Sequence, residues 1–409
     1  MPSPSSSALS RAADSPAFRR AGRDALSLAL MDARNHTLHL LGLCEAHGAG
    51  LEGRAGDPLW LAGHAGWFAE SWIGRNAQRQ RGEACPPRPT RMASIEPQAD
   101  AWWGESARQH PPAQRPDPAC TRAYLLEQLE STLELLGKAG EDDASLYFYR
   151  LAVLHEDLRG EDMLAQMQWL GVPVPLPPRT ARRPAPPLAV PATRWRLGAE
   201  PGGLVLDNER WAHEVEIPAF EIDAQPVSWA QFVEFVDDGG YDQPAYWHPR
   251  GRAWLEQRQA EDDGRCGPRY VEQIGAASGA VLQQRFGQPM RMAPHHAAVH
   301  LSWWEADAWC RWAGRRLPAE AEWDCAAHTA AQRGFDWGEV HEWQAGTLQP
   351  WPGFAPGPWA DYSAPWMGRA RALRGASFAT RARLRDPRFR GFALPEDDLR
   401  FVGFRSCAL

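Results

Sequence analysis

The amino-acid sequence predicts an α+β protein with a helical domain followed by a loop-rich one. Its 409 residues are more than one hydrophobic core ordinarily holds, which suggests two domains. The first half carries apolar residues at the 3.6 spacing of helices. Residues 171–195 are rich in proline, which central strands and helix interiors exclude. We therefore expect a disordered tail at 1–20, a helical domain at 21–170, a linker at 171–195 and a second domain at 196–409.

Four helical stretches precede the linker. The second begins at Asp57-Pro58, an N-cap residue followed by proline in the first turn. Four helices of such length predict a bundle, with the helices at residues 23–47, 57–73, 119–138 and 143–170.

Helical signal falls after the linker. Glycine, proline and tryptophan interrupt short strand-like runs, and most of the 21 tryptophans follow residue 194. Two helices still stand out, at Ser228–Asp237 and Trp303–Ala313. The second domain is therefore expected to combine short strands, few helices and long loops.

Charge and composition exclude several classes of function. There are 44 Lys and Arg against 51 Asp and Glu, a net charge of -7, which argues against a nucleic-acid binder. No apolar run is long enough to span a membrane, and the first 20 residues lack the apolar core of a secretory signal. The seven cysteines include no CxxC pair. This pattern favours reduced thiols and a cytoplasmic location.

Two histidines lie on the apolar faces of predicted bundle helices. His64 shares a face with Trp60 and Trp67, and His155 shares one with Leu151 and Leu158. Inward histidines from two helices commonly build a metal site, and imidazole binds iron, zinc, copper and nickel. The alternative is that each is a hydrogen-bonded core histidine.

Arginines crowd the end of the chain. Arg381, Arg383 and Arg385 alternate, so an extended strand would place them on one face, and Arg388 and Arg390 follow. Such a cluster requires anions. A substrate carboxylate could supply one, or salt bridges could form within the domain, with the acids Asp386, Glu396, Asp397 and Asp398.

The helical half resembles a known enzyme family. The run LAGHAGWFAESWIGRN at residues 61–76 and the helix from His155 are similar to DinB-like bundles of ergothioneine sulfoxide synthases and selenoneine synthases. In that family three histidines hold Fe(II) and leave room for substrate and O₂. The resemblance implies His64 and His155 as ligands, while Arg159 stands at the third position and Glu161 keeps the motif's last residue. Substitute ligands considered are His36, His39, Glu156 and Asp162.

The loop at residues 75–106 favours one of these two groups of enzymes. Its run RMASIEPQADAWW resembles selenoneine synthases more than sulfoxide synthases. Arg79 and Arg81, which form a basic cluster there with Arg75, are expected to contact substrate. A solvated surface loop is the alternative.

The second half resembles the formylglycine-generating-enzyme-like domain, an irregular C-type-lectin-like fold. The likeness rests on residues 217–247, on 297–327 with its LPAEAEW element, and on the end from LRGASF to FRSCAL. Formylglycine-generating enzymes bind copper through a cysteine pair. Cys310, Cys325 and Cys407 do not clearly form one, so peptide-cysteine oxidation is the less favoured interpretation.

The run WPGFAPGPWADYSAPW is expected to line the substrate pocket. The family carries two tyrosines three residues apart there, one a proton donor near iron and one a hercynine contact. Tyr362 matches the second, and Trp359 stands at the first, so both are expected in the catalytic site. Arg388 and Arg390 are expected to bind the hercynine carboxylate. The quaternary ammonium is expected to lie against the ring of Phe392, Trp359 or Tyr362.

The resemblance implies an O₂-dependent Fe(II) enzyme that joins hercynine to a selenosugar through a C–Se bond. One alternative is an ergothioneine-type sulfoxide synthase that uses a cysteine thiol. The other is an altered paralogue that binds a betaine or an anion without iron chemistry, because Arg159, Trp359 and Gly391 all depart from the family pattern.

Overall fold

The first half of the protein is helical. The computed structural model describes residues 6–108, 112, 114–176, 183–261, 267–275 and 280–409. Helices α2, α3, α5 and α6 pack on one another, as the periodicity predicts. The six helices described in this half are α1 (Ser6–Ala13), α2 (Arg23–His47), α3 (Pro58–Ala69), α4 (Ala99–Trp103), α5 (Pro118–Gly137) and α6 (Asp143–Leu170).

Local sequence fixes the ends of the long helices. Asp117 and Asp142 accept hydrogen bonds from backbone N–H groups in the first turns of α5 and α6. Asp57 occupies the N-cap position of α3, but its carboxylate accepts from the N–H of Arg54 at 3.0 Å instead. Gly171 ends α6 at φ 70°, a left-handed conformation that glycine adopts without steric cost.

The prediction of a disordered tail at 1–20 is wrong for residues 6–20. Helix α1 is followed by a 3₁₀ turn at Pro16–Arg20. Phe18 is fully buried, and Arg19 forms a bidentate ion pair with Glu209 at 2.6 and 3.0 Å. The partner lies 190 residues away, so composition near the N-terminus could not reveal it. Residues 1–5 lie outside the described residues.

The second half mixes short strands with helices. Its helices are α7 (Trp229–Asp237), α8 (Pro249–Glu261), α9 (Trp303–Trp312) and α10 (Glu320–Thr329). Its described strands are β1 (Leu188–Val190), β2 (Thr193–Leu197), β3 (His213–Ile217), β4 (Phe220–Ile222), β5 (Val271–Gly275), β6 (Ala280–Arg285), β7 (Gln288–Met292), β8 (Arg315–Arg316), β9 (His341–Thr347), β10 (Arg371–Gly375), β11 (Gly391–Ala393), β12 (Val402–Gly403) and β13 (Cys407–Ala408).

Two four-stranded sheets organise this half. One has the order β1-β4-β13-β8, and the other β11-β10-β9-β12, in which β12 runs parallel to β9. The expected linker at 171–195 is therefore only partly irregular, because β1 and the start of β2 lie inside it. Proline flanks β1 on both sides, and β1 is an edge strand, where proline is tolerated. Residues 177–182 of the linker lie outside the described residues.

Ion pairs join the two halves. Arg383 donates to Asp157 of α6 at 2.5 and 3.1 Å, and also to Asp32 of α2 at 2.7 Å. Glu161 of α6 accepts from Ser377 and Thr380 and contacts the Nε2 atom of His341 at 2.9 Å. The buried partners hold the C-terminal segment against the helices.

The expected arginine-lined strand is not formed. Residues Ala382–Leu384 make a 3₁₀ turn. Arg383 is fully buried, and both it and Arg381 pair with Asp32 rather than with an acid of their own domain. The prediction of one shared strand face is wrong because these side chains meet helices that sequence spacing cannot bring near them.

Candidate active-site cavity

His64 is held by its neighbours on α3 and by the last residue of α4. A Cβ atom on Gly63 would lie 2.1 Å from Nε1 of Trp103, so only glycine admits that indole. The Trp103 carbonyl lies 2.7 Å from Nδ1 of His64. Because a carbonyl only accepts, Nδ1 carries a proton and Nε2 is the acceptor nitrogen of the neutral ring. Nε2 lies 3.5 Å from Oε1 of Glu105.

His155 lies beside His64 on α6, with the ring centroids 5.2 Å apart. Phe68 stacks face to face on His155 at 3.7 Å, and Trp359 meets it edge-on at 5.2 Å. Its Nδ1 atom is buried, and no described residue forms a hydrogen bond with it. Burial, followed by the charges of Arg159 and His64, lowers the pKa of His155 well below its usual range. The imidazole is therefore neutral at physiological pH.

The third family position does not supply a ligand. Arg159 pairs with Asp162 at 3.0 Å, and a guanidinium has no lone pair to donate. The other substitutes do not reach the histidines: Glu156 binds Arg34, and His39 is exposed. His36 lies against Gly160 instead. Within the described ranges, no three His, Cys, Asp or Glu side chains already stand around one point.

A cavity of about 500 Å³ opens next to the histidine pair. Its walls come from the end of α3 with the π-helical turn Glu70–Gly74, from the loop before α5, and from residues 358–361. Phe68 and Trp359 line it and separate it from His155, while Glu105 lines it and contacts His64. The cavity is therefore one side chain away from each histidine.

Glu70 explains how the loop is positioned. This buried carboxylate begins the π-helical turn and accepts hydrogen bonds from the Ser94 hydroxyl, the Ile95 N–H and the Tyr124 hydroxyl. A buried carboxylate with three donors is well satisfied. It fastens the loop to α5 and so shapes the cavity wall.

The cavity lining balances positive and negative charge. Arg75 forms a bidentate pair with Asp100 at 2.7 and 2.8 Å. Arg91 lies over the Trp72 ring at 5.1 Å and donates to the Ser71 carbonyl at 3.4 Å. Arg88 is exposed, and within the described residues neither Arg88 nor Arg91 forms an ion pair. The lining carboxylates are Asp100, Glu105 and Asp361. The lining therefore suits a ligand that carries both charges.

Trp359 connects the large cavity to Tyr362. The two rings lie 4.6 Å apart, and Tyr362 also meets Phe392 at 5.2 Å. Trp359 and Tyr362 share a second cavity of about 10 Å³, the room of about one water molecule. Burial, then the nearby carboxylates of Glu209 and Asp207, raises the pKa of Tyr362. Its hydroxyl therefore stays protonated and can act as a donor.

The expected substrate arginines lie elsewhere. Arg390 is buried, pairs with Glu320 at 2.6 and 2.7 Å and lies over the Trp351 ring. Arg388 and Arg81 are exposed, Arg79 is half-buried, and none of these four lines either cavity. Of the residues predicted from sequence, His64, His155, Trp359, Tyr362 and Phe392 come together.

Sequence reasoning missed several charged residues of the cavity wall, among them Arg88, Arg91 and Glu105. Arg88, Arg91 and Glu105 all lie in or beside the 75–106 segment that resembles selenoneine synthases. Prolines at 86, 87 and 89 surround Arg88 and were the available signal, because proline holds a loop in an extended path. No sequence pattern indicates that Glu105 approaches His64.

Some known proteins match nearly the whole chain, and others match only part of it. The sulfatase-modifying factor enzyme 1-like domain family matches residues 175–339. The hercynine oxygenase of Mycolicibacterium smegmatis is 30% identical over an alignment of 446 positions, which covers 94% of this chain and 98% of that protein. That of Mycolicibacterium thermoresistibile is 30% identical over 448, covering 94% of each. The formylglycine-generating enzyme of Bos taurus is 32% identical over 169, covering 38% of this chain and 44% of that protein.

The lengths of these matches bear on the histidine pair. An alignment that covers 94% of this chain must include the helices that carry His64 and His155. The match to the formylglycine-generating enzyme spans well under half of the chain. The hercynine oxygenases therefore match both halves of the chain, which distinguishes them from the formylglycine-generating enzyme.

Proposed function

The chain belongs to the hercynine oxygenase family, and from this premise we propose that it binds hercynine in the 500 Å³ cavity and modifies it with O₂. The observation that carries the proposal is the cavity lining. Hercynine is a betaine with a carboxylate and a quaternary ammonium. The guanidinium groups of Arg88 and Arg91, which form no ion pair with the described residues, fit the carboxylate, and the indole rings of Trp67 and Trp359 fit the ammonium.

The histidine pair fits a metal ion beside this ligand. Nδ1 of His155 is buried without a partner among the described residues, and Nε2 of His64 is the acceptor nitrogen of its ring. These two residues would hold Fe(II), which when bound supplies the activation of O₂ and of the chalcogen donor. Tyr362 would hold its proton near the reacting atoms, and Phe68 and Trp359 would exclude water.

We further propose that the donor is a selenosugar and that the product is a C–Se bond at the imidazole C2 carbon. The step breaks the C2–H and Se–H bonds and forms the C–Se bond, and O₂ takes up the two electrons and two protons released to give hydrogen peroxide. The support is the likeness of the 75–106 loop to selenoneine synthases. A cysteine thiol that gives a C–S bond is the alternative within the same family chemistry.

A second candidate is a protein that binds hercynine without turnover. It is favoured by Arg159, whose guanidinium stands at a position that would need a donor atom. Such a protein would bind hercynine after removal of metal and would not consume O₂.

The test is a paired measurement of binding and turnover. Hercynine affinity is measured by calorimetry on chelator-treated protein, and products are followed by mass spectrometry after addition of Fe(II), O₂, hercynine and one donor. We expect a hercynine–selenosugar adduct. An adduct with cysteine alone would establish the thiol alternative, and binding without O₂ uptake would establish the second candidate. Absence of hercynine binding would contradict the proposal.

A further inference from the structure

Asp207 is buried beside the segment that carries Tyr362. Its Oδ1 atom accepts a hydrogen bond from the Ser363 hydroxyl at 2.6 Å, and the residue is only 4% exposed. The second oxygen, Oδ2, is buried and accepts no hydrogen bond from any residue that the structure describes. A buried carboxylate oxygen is costly without a donor, and native proteins satisfy such atoms with a protein group or an ordered water molecule. Oδ2 of Asp207 therefore requires a donor that the described residues do not supply.

The cavity of about 10 Å³ lies next to this carboxylate. Asp207, Tyr362, Tyr147 and Arg210 line it, so groups able to form hydrogen bonds surround the space. A polar space of about this size holds one water molecule, and a buried water makes about three hydrogen bonds. Burial, then the charges of Glu209 and Asp207, raise the pKa of Tyr362, so the Asp207 carboxylate lies within electrostatic reach of that hydroxyl. The cavity therefore fits a water that bridges Asp207 and Tyr362.

Arg210 contributes charge to this cavity but does not donate to Oδ2. Its Nη1 atom donates to Glu83 at 2.5 Å. Burial raises the pKa of Asp207, and the Ser363 hydrogen bond and the Arg210 charge act against that rise. A Cβ atom on Gly357 would lie 3.0 Å from Nη2 of Arg210, so the lack of a side chain at Gly357 preserves the space.

We propose that Asp207 is a positioning residue for Tyr362 and acts through one ordered water in this cavity. The water donates a hydrogen to Oδ2 of Asp207 and accepts one from the Tyr362 hydroxyl, which satisfies both groups. Asp207 also fastens the segment itself through Ser363, the residue that follows Tyr362. The chain of hydrogen bonds fixes the direction in which the Tyr362 proton points. The water site stands without the proposed function, and only its effect on turnover rests on that function.

A crystal structure of the full chain, at a resolution that shows ordered water, tests the site directly. We expect electron density for one water within about 3.2 Å of both Oδ2 of Asp207 and the Tyr362 hydroxyl oxygen. Gly357→Ala adds a methyl group to the cavity wall and should displace that water. Asp242→Asn, a change to an exposed acid of the same half, should keep it. A wild-type cavity without density between Asp207 and Tyr362 would overturn the inference.

Turnover of hercynine tests the positioning role. Asp207→Asn keeps the size of the side chain and an acceptor for Ser363, but it presents an N–H donor in place of Oδ2 and so reverses the chain. We expect kcat to fall roughly tenfold to hundredfold, the effect of one lost hydrogen bond to a charged group, with KM for hercynine unchanged. Gly357→Ala leaves Asp207 intact and should lower kcat in the same way, whereas Asp242→Asn should not.

The outcomes separate this inference from the proposed function. Wild-type kcat in both Asp207→Asn and Gly357→Ala would overturn the positioning role, and so would a change confined to KM. A wild type that holds the water but does not turn hercynine over would contradict only the proposed function. In that case the crystal structure of Asp207→Asn decides, because an unmoved Tyr362 hydroxyl and an unmoved water would overturn the role given to Asp207.

Discussion

Arginines of two regions follow different rules. In the C-terminal segment, Arg383 and Arg390 are fully buried, and each forms a bidentate pair with a carboxylate that the fold supplies. At the cavity wall, Arg88 and Arg91 have no ion pair within the described residues. Arg383 and Arg390 stabilise the fold, whereas Arg88 and Arg91 have N–H donors available for a ligand. An arginine cluster in a sequence therefore indicates anions, but it does not tell whether the anion belongs to the chain.

The largest effect is expected at Arg383. Arg383→Met leaves the carboxylate of Asp157 buried without its cation, because Asp157 has no exposed surface in its side chain. Loss of one partner of a buried pair costs about 3–5 kcal/mol in the free energy of unfolding, measured by urea denaturation. The control is Arg383→Met with Asp157→Asn, which removes the stranded charge and should lose less. A loss below about 1 kcal/mol, no more than an exposed ion pair contributes, would contradict the stabilising role given to Arg383.

The next effect is a pH dependence at the junction of the two halves. Burial opposes the charge of Glu161, but His341, Ser377 and Thr380 hold the pKa of this carboxyl at about 2. A folded pKa below the unfolded one stabilises the protein above pH about 4.5, and this stabilisation disappears as the pH falls toward 2. The full contribution is about 3 kcal/mol.

Glu161→Gln removes that dependence. The difference in free energy of unfolding between wild type and variant should shrink between pH 5 and pH 3, as the wild-type carboxyl begins to lose its advantage. The control is Glu130→Gln, on the exposed face of α5, which should leave the pH slope unchanged. A wild-type-to-variant difference that is constant across this range would contradict the assigned cause.

Local patterns predicted the helices well. The apolar period and caps located α2, α5 and α6 to within one residue at each end, because those signals are short-range. They failed for residues 6–20 and for the turn at Ala382–Leu384. In both places the deciding contacts, to Glu209 and to Asp157, lie more than 180 residues away.

The same limit applies to the site residues. Local sequence patterns identify some of them, and contacts between residues distant in sequence determine the others. His64 and His155 could be selected because each lies on the apolar face of a long helix, and the structure places their rings together. Arg390 could not be excluded, since its partner Glu320 is 70 residues away. Glu105 could not be selected, because only the packing of Trp103 into the groove at Gly63 brings it to His64.

The smallest of the three effects addresses the comparison most directly. Arg91→Met keeps an apolar side chain over Trp72 and removes the charge. The free energy of unfolding should therefore change by less than about 0.5 kcal/mol. Loss of one hydrogen bond to a charged group costs about 1.5–3 kcal/mol, which corresponds to roughly tenfold to hundredfold weaker hercynine binding. Calorimetry on metal-free protein measures it. Arg388→Met, an exposed arginine outside the cavity, should change neither quantity. If both variants weaken hercynine equally, the effect is one of general charge, and the cavity arginines have no special role in recognising the carboxylate.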